Sequence, residues 1–469
     1  MRSASRALRL SSHLLELPRM QRVLFSGNGV NGASGFRDSA FARNKELPLH
    51  RWVHWIAGFS ADFVKDCLDA YLPKTYKGKS WVLDPFAGVG TTLVEAYLDG
   101  RNVIGFEINP YAALAARVKL EAVRIPPDTL SRRISEFKQF MQERTLRNGD
   151  ASPKSDPPQG FAGRTRLFGP KVERKVLLAL DYINGISTPV YRDIFRLAVG
   201  ATMVSFSNYT YEPSLTRRAA VGKPEIDDAD VASVVGAKLE GMLADIRQLQ
   251  KEKAKSAANL KAVVVNESIL HPDYGRRCFV DLAVTSPPYL NNYHYPRNTR
   301  PQINWLGFAP GPGYNGAGEM KSFGKFWQTV RDLPAIGLDF DLPELERVVA
   351  KIRTLNPEKG HYGGRGWANY VATYFNDTMR FCDVLSQLLK PGAVAMIVLG
   401  NSIIQGVEVK TDYFFGRIAE VSGLKFEDTI LLRNKRTGSS IIQSSVRVDK
   451  AASKTVLYET GIVLRKPAK

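Results

Sequence analysis

The sequence predicts an α/β fold on an open, doubly wound, largely parallel sheet, and three observations carry that expectation. A strand, a glycine loop, a helix and a second strand follow one another between residues 80 and 107, the order of a right-handed βαβ unit. Strand-length apolar runs resume near residue 260 and recur to the C-terminus. The 469 residues are 44% hydrophobic and 24% charged, which suits a large buried core and excludes a wholly disordered or fibrous chain.

In chain order, residues 1–48 read as a basic tail. The first nineteen hold four Arg and one acid, Glu16, which fits an organellar transit peptide. Met20 follows at once, so an upstream start or a frayed tail fits the same letters. Phe59, Phe63, Val64, Cys67 and Leu68 recur at helical spacing, with Ser60 placed as N-cap. Strand 80–84, helix 91–98 and strand 102–107 come next, the second strand starting just after a Gly100 stop.

Alternation then pauses. Residues 126–258 carry helix-like blocks at 130–147, 172–182, 191–206 and 231–255, broken by a Pro/Gly/Asp-rich stretch at 150–163, and read as an inserted helical subdomain. Strands are predicted again at 261–266 and 279–284. An aromatic and Gly-rich, loop-like segment spans 290–368, followed by a helix over 370–389 that Lys390-Pro391-Gly392 should stop. Runs at 393–399, 429–433 and 455–464 complete the sheet. The expected core is therefore 49–125 plus 259–469, with 126–258 and 290–368 as insertions.

Several function classes drop out. The three cysteines, Cys67, Cys278 and Cys382, are far apart and show no CxxC or Cys/His spacing, so no disulfide framework and no metal site is expected. The longest apolar run, at 394–399, has the length of a buried strand and not of a membrane span, and a cytoplasmic, reducing location is expected. The 65 Lys and Arg against 46 Asp and Glu leave a net charge of +19, which favours a polyanionic partner through phosphate contacts. Part of that excess sits in residues 131–180, with eleven basic and five acidic side chains.

Three motifs carry chemistry. Asp84-Pro85-Phe86-Ala87-Gly88-Val89-Gly90-Thr91-Thr92 joins a strand end to a helix start, where glycines admit close ligand approach and the helix offers free N–H groups. It has no third glycine for a dinucleotide fingerprint and no Gly-Lys-Ser/Thr for a P-loop. Glu107, at the end of the next strand, can accept both hydroxyls of a ribose. Thr285-Ser286-Pro287-Pro288-Tyr289 follows a later strand. Its prolines fix the backbone so that carbonyls face outward, the Ser hydroxyl adds an acceptor for an exocyclic amine, and Tyr289 offers a face on which a base can stack, worth ~1–3 kcal/mol.

Together these residues resemble the S-adenosylmethionine-dependent DNA amino-methyltransferases that act on the N4 of cytosine or the N6 of adenine. Asp84–Thr92 is similar to their cofactor loop and Ser286-Pro287-Pro288-Tyr289 to their catalytic motif, in the version typical of cytosine-N4 enzymes. The likeness covers residues 50–125 and 260–465. It implies a Rossmann-like methyltransferase sheet with S-adenosyl-L-methionine held by Phe59, Ser60, Asp84, Phe86, Gly88, Gly90, Thr91, Thr92, Glu107 and Glu267. Phe59 stands for the aromatic residue of the segment before the loop, and Glu267 for an acid that usually contacts the adenine.

The resemblance further implies double-stranded DNA as substrate, a flipped-out base, and a restriction-modification setting with a cognate endonuclease as a possible partner. A carbon-5 enzyme would need a Pro-Cys nucleophile, and none of the three cysteines follows a proline. Adenine-N6 methylation, RNA methylation and a non-catalytic DNA-binding role are the alternatives. Asn291, Asn292, Tyr293, Tyr295, Arg297 and Arg300 are candidates for the base pocket or phosphates, and Arg433, Lys435 and Arg436 beside Thr437-Gly438 are read as a phosphate contact or a basic hairpin tip without a partner. His54, which lies with Trp55 upstream of the cofactor helix, and the isolated His271 and His294 are read as structural.

Overall fold

The computed structural model describes residues 35–37, 41–55, 58, 60–146, 152–159, 166–212, 214–253, 259–270, 275–290, 295–309, 320–435 and 457–468. Phe59, His271, Asn291, Asn292, Tyr293, His294 and Arg436 lie outside them, as does the basic stretch before residue 35.

Helix α1 (Ala61–Tyr71) starts where Ser60 Oγ accepts the Phe63 N–H at 3.1 Å, the capping role expected of it. Then come β1 (Trp81–Asp84), α2 (Thr91–Leu98), β2 (Asn102–Phe106) and α3 (Pro110–Glu121). The intervening block holds α4 (Pro127–Leu146), α5 (Pro170–Asn184), α6 (Pro189–Thr202), a small hairpin of β3 (Tyr209–Tyr211) and β4 (Leu215–Arg217), and α7 (Val231–Lys253). Strands β5 (Ala262–Val265) and β6 (Val280–Thr285) return to the sheet. After them run α8 (Tyr295–Trp305), α9 (Trp327–Val330), α10 (Pro343–Arg353), α11 (Gly364–Leu388) and β7 (Leu389–Gly400). The hairpin β8 (Ser402–Ile404) and β9 (Val407–Val409), helix α12 (Thr411–Val421), β10 (Lys425–Lys435) and β11 (Leu457–Arg465) close the chain.

The main sheet runs β10-β11-β7-β6-β1-β2-β5. Neighbours from β7 to β5 are parallel, whereas β11 pairs antiparallel with both β7 and β10. Strand order turns between β1 and β6, the kind of switch point where α/β sheets bind ligands at strand C-termini.

Alternation of side chains sorts the strands onto two cores. Val82, Val103, Leu282, Val284, Val394 and Met396 pack with α1 and α2 on one face. Their neighbours Leu83, Ile104, Ala283, Ala395 and Ile397 pack with α11 and α12 on the other. A third core joins α3 to α4–α7 and reaches the loop at Val89. The fully buried Asp245 of α7 ties in the chain before α1, accepting Leu49 N at 3.1 Å, Trp52 Nε1 at 2.9 Å and the Arg51 guanidinium. Among the described residues no helix is long and apolar enough to cross a membrane.

The seven expected strands are present, but three boundaries differ. The stretch expected to be loop-like carries α8, α9 and α10, and the prolines at 296 and 301 hide α8 from a periodicity reading. Helix α11 begins earlier than expected, at Gly364, where a side chain would lie 1.8 Å from the Ile352 carbonyl oxygen; this glycine serves close packing and not a loop. Strand β7 continues through Lys390-Pro391-Gly392. Gly392 adopts φ +80°, and the pairing register with β6 shifts at this irregularity instead of breaking.

Candidate active site at the switch point

Asp84 ends β1 and is fully buried. Its Oδ1 accepts the Thr285 hydroxyl at 2.6 Å and the Phe86 N–H at 3.1 Å, while Oδ2 is buried with no partner among the described residues. Burial outweighs those bonds and pushes its carboxyl up to about 6. The Thr285 bond crosses the switch point, and Thr92 Oγ1 repeats the crossing by donating to the Val284 carbonyl at 3.1 Å. The glycine loop and the segment after β6 are therefore pinned together side by side.

Gly88 and Gly90 have φ of +50° and +84°. Gly88 N donates to Glu107 Oε2 and Asn109 N to Glu107 Oε1, both at 2.7 Å. Each carboxylate oxygen thus has one fixed partner and a second lone pair. Burial, aided by the charge of Asp84, pushes Glu107 up to about 7. Gly90 is needed for packing as well as for φ, since a Cβ would sit 2.9 Å from Ala116 Cβ on α3. Thr91 and Thr92 are buried in the first turn of α2. The half-buried Phe86 packs against Phe323 and Phe381, with ring centroids 5.1 and 5.2 Å away, which fixes the loop to the α11 core. Glu267 is exposed just past β5.

The Ser286–Tyr289 segment leaves β6 beside this loop. Ser286 is half-buried and Pro287 buried. Pro288 offers its carbonyl to the Tyr374 hydroxyl at 3.1 Å, and Ser402 Oγ donates to the Leu290 carbonyl at 2.6 Å. Tyr289 donates its hydroxyl to Glu459 Oε1 at 2.7 Å, and Arg433 Nε donates to Glu459 Oε2 at 2.7 Å. Arg433, read from sequence as a phosphate contact, is thus engaged in bracing this loop. Arg297 is exposed on α8 and Arg300 half-buried.

Residues 34–117 match the family model of DNA methylases of the N6/N4 type. The chain is 23% identical over 442 residues to the type II methyltransferase M.BsoBI of Geobacillus stearothermophilus, covering 86% of this chain and 83% of that one. It is 24% identical over 425 residues to M.AvaI of a Nostoc species, covering 86% and 84%. Against M.MvaI of Kocuria varians it is 27% identical over 231 residues, about half of each chain. The chain is thus similar to the DNA amino-methyltransferases of the N6/N4 type.

Methyltransferases of this family use S-adenosyl-L-methionine as methyl donor, and the residues at the switch point suit it. The unpartnered Asp84 Oδ2 is a buried acceptor for an ammonium group, and the free lone pairs of Glu107 are acceptors for a diol.

The side chains that brace these two loops carry little signal in the sequence. Lys119 of α3 is fully buried and donates to the Val89 carbonyl at 2.9 Å, holding the glycine loop from below; burial, with Lys238 nearby, pushes its amine down to about 7. His50 Nε2 lies 2.7 Å from Glu95 Oε1 on α2, both buried. A Cβ on Gly88 would approach Trp55 Nε1 to 3.3 Å, so this tryptophan flanks the loop. Tyr374 and Glu459 carried no sequence signal, because what marks them is spatial proximity to Pro288 and Tyr289.

Proposed function

We propose that this methyltransferase transfers a methyl group to the exocyclic N4 of cytosine in double-stranded DNA. The observation that carries the reading is the pair of hydrogen bonds, Thr285 to Asp84 and Thr92 to Val284, that set the Ser-Pro-Pro-Tyr loop against the glycine loop. On this reading Asp84, Gly88, Gly90, Thr91, Thr92 and Glu107 hold the donor. Glu107 accepts its ribose hydroxyls and Asp84 its charged amine, with Ser60, Phe59, Phe86 and Glu267 around them. The donor supplies an electrophilic sulfonium methyl.

The amine of cytosine is a poor nucleophile because its lone pair is delocalised into the ring. Ser286 Oγ and the Pro287 carbonyl accept its hydrogens, which favours a tetrahedral nitrogen and localises that lone pair for in-line attack. Tyr289 stacks on the base, with its hydroxyl tethered to Glu459 so that the ring keeps its place. Positioning and electrostatics then supply most of the rate. The base must leave the duplex to reach this loop, and the +19 charge favours the phosphates around it. Adenine N6 presents the same amine chemistry to the same acceptors and is the second reading. A cytoplasmic restriction-modification role with a cognate endonuclease fits the type II relatives.

The test is incubation of the purified protein with genomic DNA and labelled S-adenosylmethionine, then mass spectrometry of the nucleosides. N4-methylcytosine is expected. N6-methyladenine would keep the mechanism and move the specificity away from Ser286. No methylated nucleoside, with donor binding intact, would overturn the reading.

A further inference from the structure

A hollow of about 50 Å³, open on one side, lies beyond Trp55, and none of the residues assigned above to donor or methyl transfer lines it. Its floor is the junction of α3 and α6, which meet so closely that a side chain at Gly200 would lie 2.5 Å from the Tyr111 ring. Its roof is α8, the helix that the Ser286–Tyr289 segment leads into. Thr299 of α8 accepts Asn109 Nδ2 at 2.7 Å, which anchors the roof two residues past Glu107.

Two buried polar atoms here have no partner among the described residues: Tyr111 Oη and Gln302 Oε1, on side chains that are 2% and 4% exposed. The amide of Gln302 is not free to turn. Its Nε2 donates to the Gly200 carbonyl at 3.1 Å, an acceptor only, and lies 3.3 Å from the Tyr211 hydroxyl, so Oε1 is the end left over. Leaving such groups unmade is costly unless something binds to them. The lining includes no Lys, Arg, Asp or Glu, and burial holds its one imidazole, His54, toward the neutral form, so neither an anion nor an ammonium ion would find its counter-charge. Aromatic walls at Trp55 and Tyr211, one fixed acceptor and one hydroxyl suit a neutral planar heterocycle that bears an amine.

Resting on the DNA-methyltransferase reading above, we propose that this hollow holds a nucleobase of the DNA substrate, its amine donating to Gln302 Oε1 and its ring edge accepting from Tyr111 Oη. The inserted helices, through α6 and the β3–β4 hairpin, thus supply a base contact separate from the Ser286 loop. Arg297, exposed and adjacent in sequence to Asn298 of the roof, would supply a cation for the phosphate attached to such a base.

The test uses the full chain with Tyr111→Phe, which removes one oxygen, Gln302→Leu, and Ala201→Leu, which fills the hollow. DNA affinity is read by fluorescence anisotropy on labelled fragments that carry the sequence methylated in the genomic experiment, and donor affinity by equilibrium binding of labelled S-adenosylmethionine. DNA affinity should fall about tenfold in Tyr111→Phe, the loss of roughly one hydrogen bond, and further in Ala201→Leu, with donor affinity within about twofold. Weakened donor binding with unchanged DNA affinity would give the hollow to the donor's adenine and overturn the proposal. Unchanged affinity for both in Tyr111→Phe and Ala201→Leu would also overturn it. Wild-type protein that methylates no DNA would instead overturn the functional reading on which the proposal rests.

Discussion

The two loops that meet at the switch point are supported in opposite ways. The glycine loop takes most of its backbone hydrogen bonds from groups near it in sequence, Asp84 two residues before Phe86, Glu107 nineteen after Gly88 and Lys119 thirty after Val89, and only its Phe86 ring and its bonds to β6 reach distant elements. The Ser286–Tyr289 loop is held by Tyr374, 86 residues from Pro288, and by Glu459, 170 residues from Tyr289. The hydrogen-bonded frame of the glycine loop thus comes from β1 through α3, whereas the Ser286–Tyr289 loop takes its shape only once α11 and the antiparallel edge of the sheet are in place. Donor binding and methyl transfer should accordingly be separable by substitution, and the Asp84–Thr285 bond is where they join.

The largest effect is expected at that joint. Asp84→Ala removes a buried acceptor from the donor site and the partner of Thr285 together, so donor affinity should fall by at least about a hundredfold and turnover with it. Equilibrium binding of labelled S-adenosylmethionine checks this, and retained affinity would detach Asp84 from the donor.

On the other side, Tyr374→Phe removes one hydrogen bond to the Pro288 carbonyl. Turnover should drop roughly three- to tenfold while donor affinity stays level, measured as kcat against donor Kd. A matching loss in both would mean that the loops are not separable.

Glu107 gives the comparison a pH axis. With its carboxyl pushed up to about 7, the acceptor form is lost as pH falls through 7, so donor affinity should weaken by up to about tenfold per unit below that point. Glu107→Gln should bind weakly but without that slope. Stability runs the other way. A carboxyl raised from its ordinary 4.5 contributes stability that is complete below 4.5 and lost as pH rises through 7. Glu107→Gln loses one of the two N–H bonds at every pH, so its melting temperature relative to wild type should be highest at pH 8 and fall in acid, as thermal scans across pH would show.

The smallest effect is assigned to Lys119. Lys119→Met keeps the packing and loses the bond to the Val89 carbonyl, so donor KM should rise about threefold with kcat unchanged and the melting temperature held or raised. A fall in kcat alone would place Lys119 on the wrong side of the divide.

The same contrast explains what could be read from sequence. Strand 81–84, the loop, helix 91–98 and Glu107 were legible because capping, strand alternation and glycine placement act over a few residues, and Ser60 caps α1 as its spacing implied. Ser286 to Tyr289 were legible as a motif, but not their braces, since Tyr374 lies in the middle of a long helix and Glu459 reaches Arg433 only across the β10–β11 ladder. Arg433 looked like a free phosphate contact for that reason. Helix α8 was hidden by its own prolines, and with it the roof of the hollow.

The separation of the two loops is tested most directly by Ser286→Ala, with single-turnover methyl transfer to DNA and donor affinity measured on the same preparation. Transfer should slow by about a hundredfold or more while donor affinity stays within twofold of wild type. A transfer rate close to wild type would contradict the placement of the reacting amine at this loop.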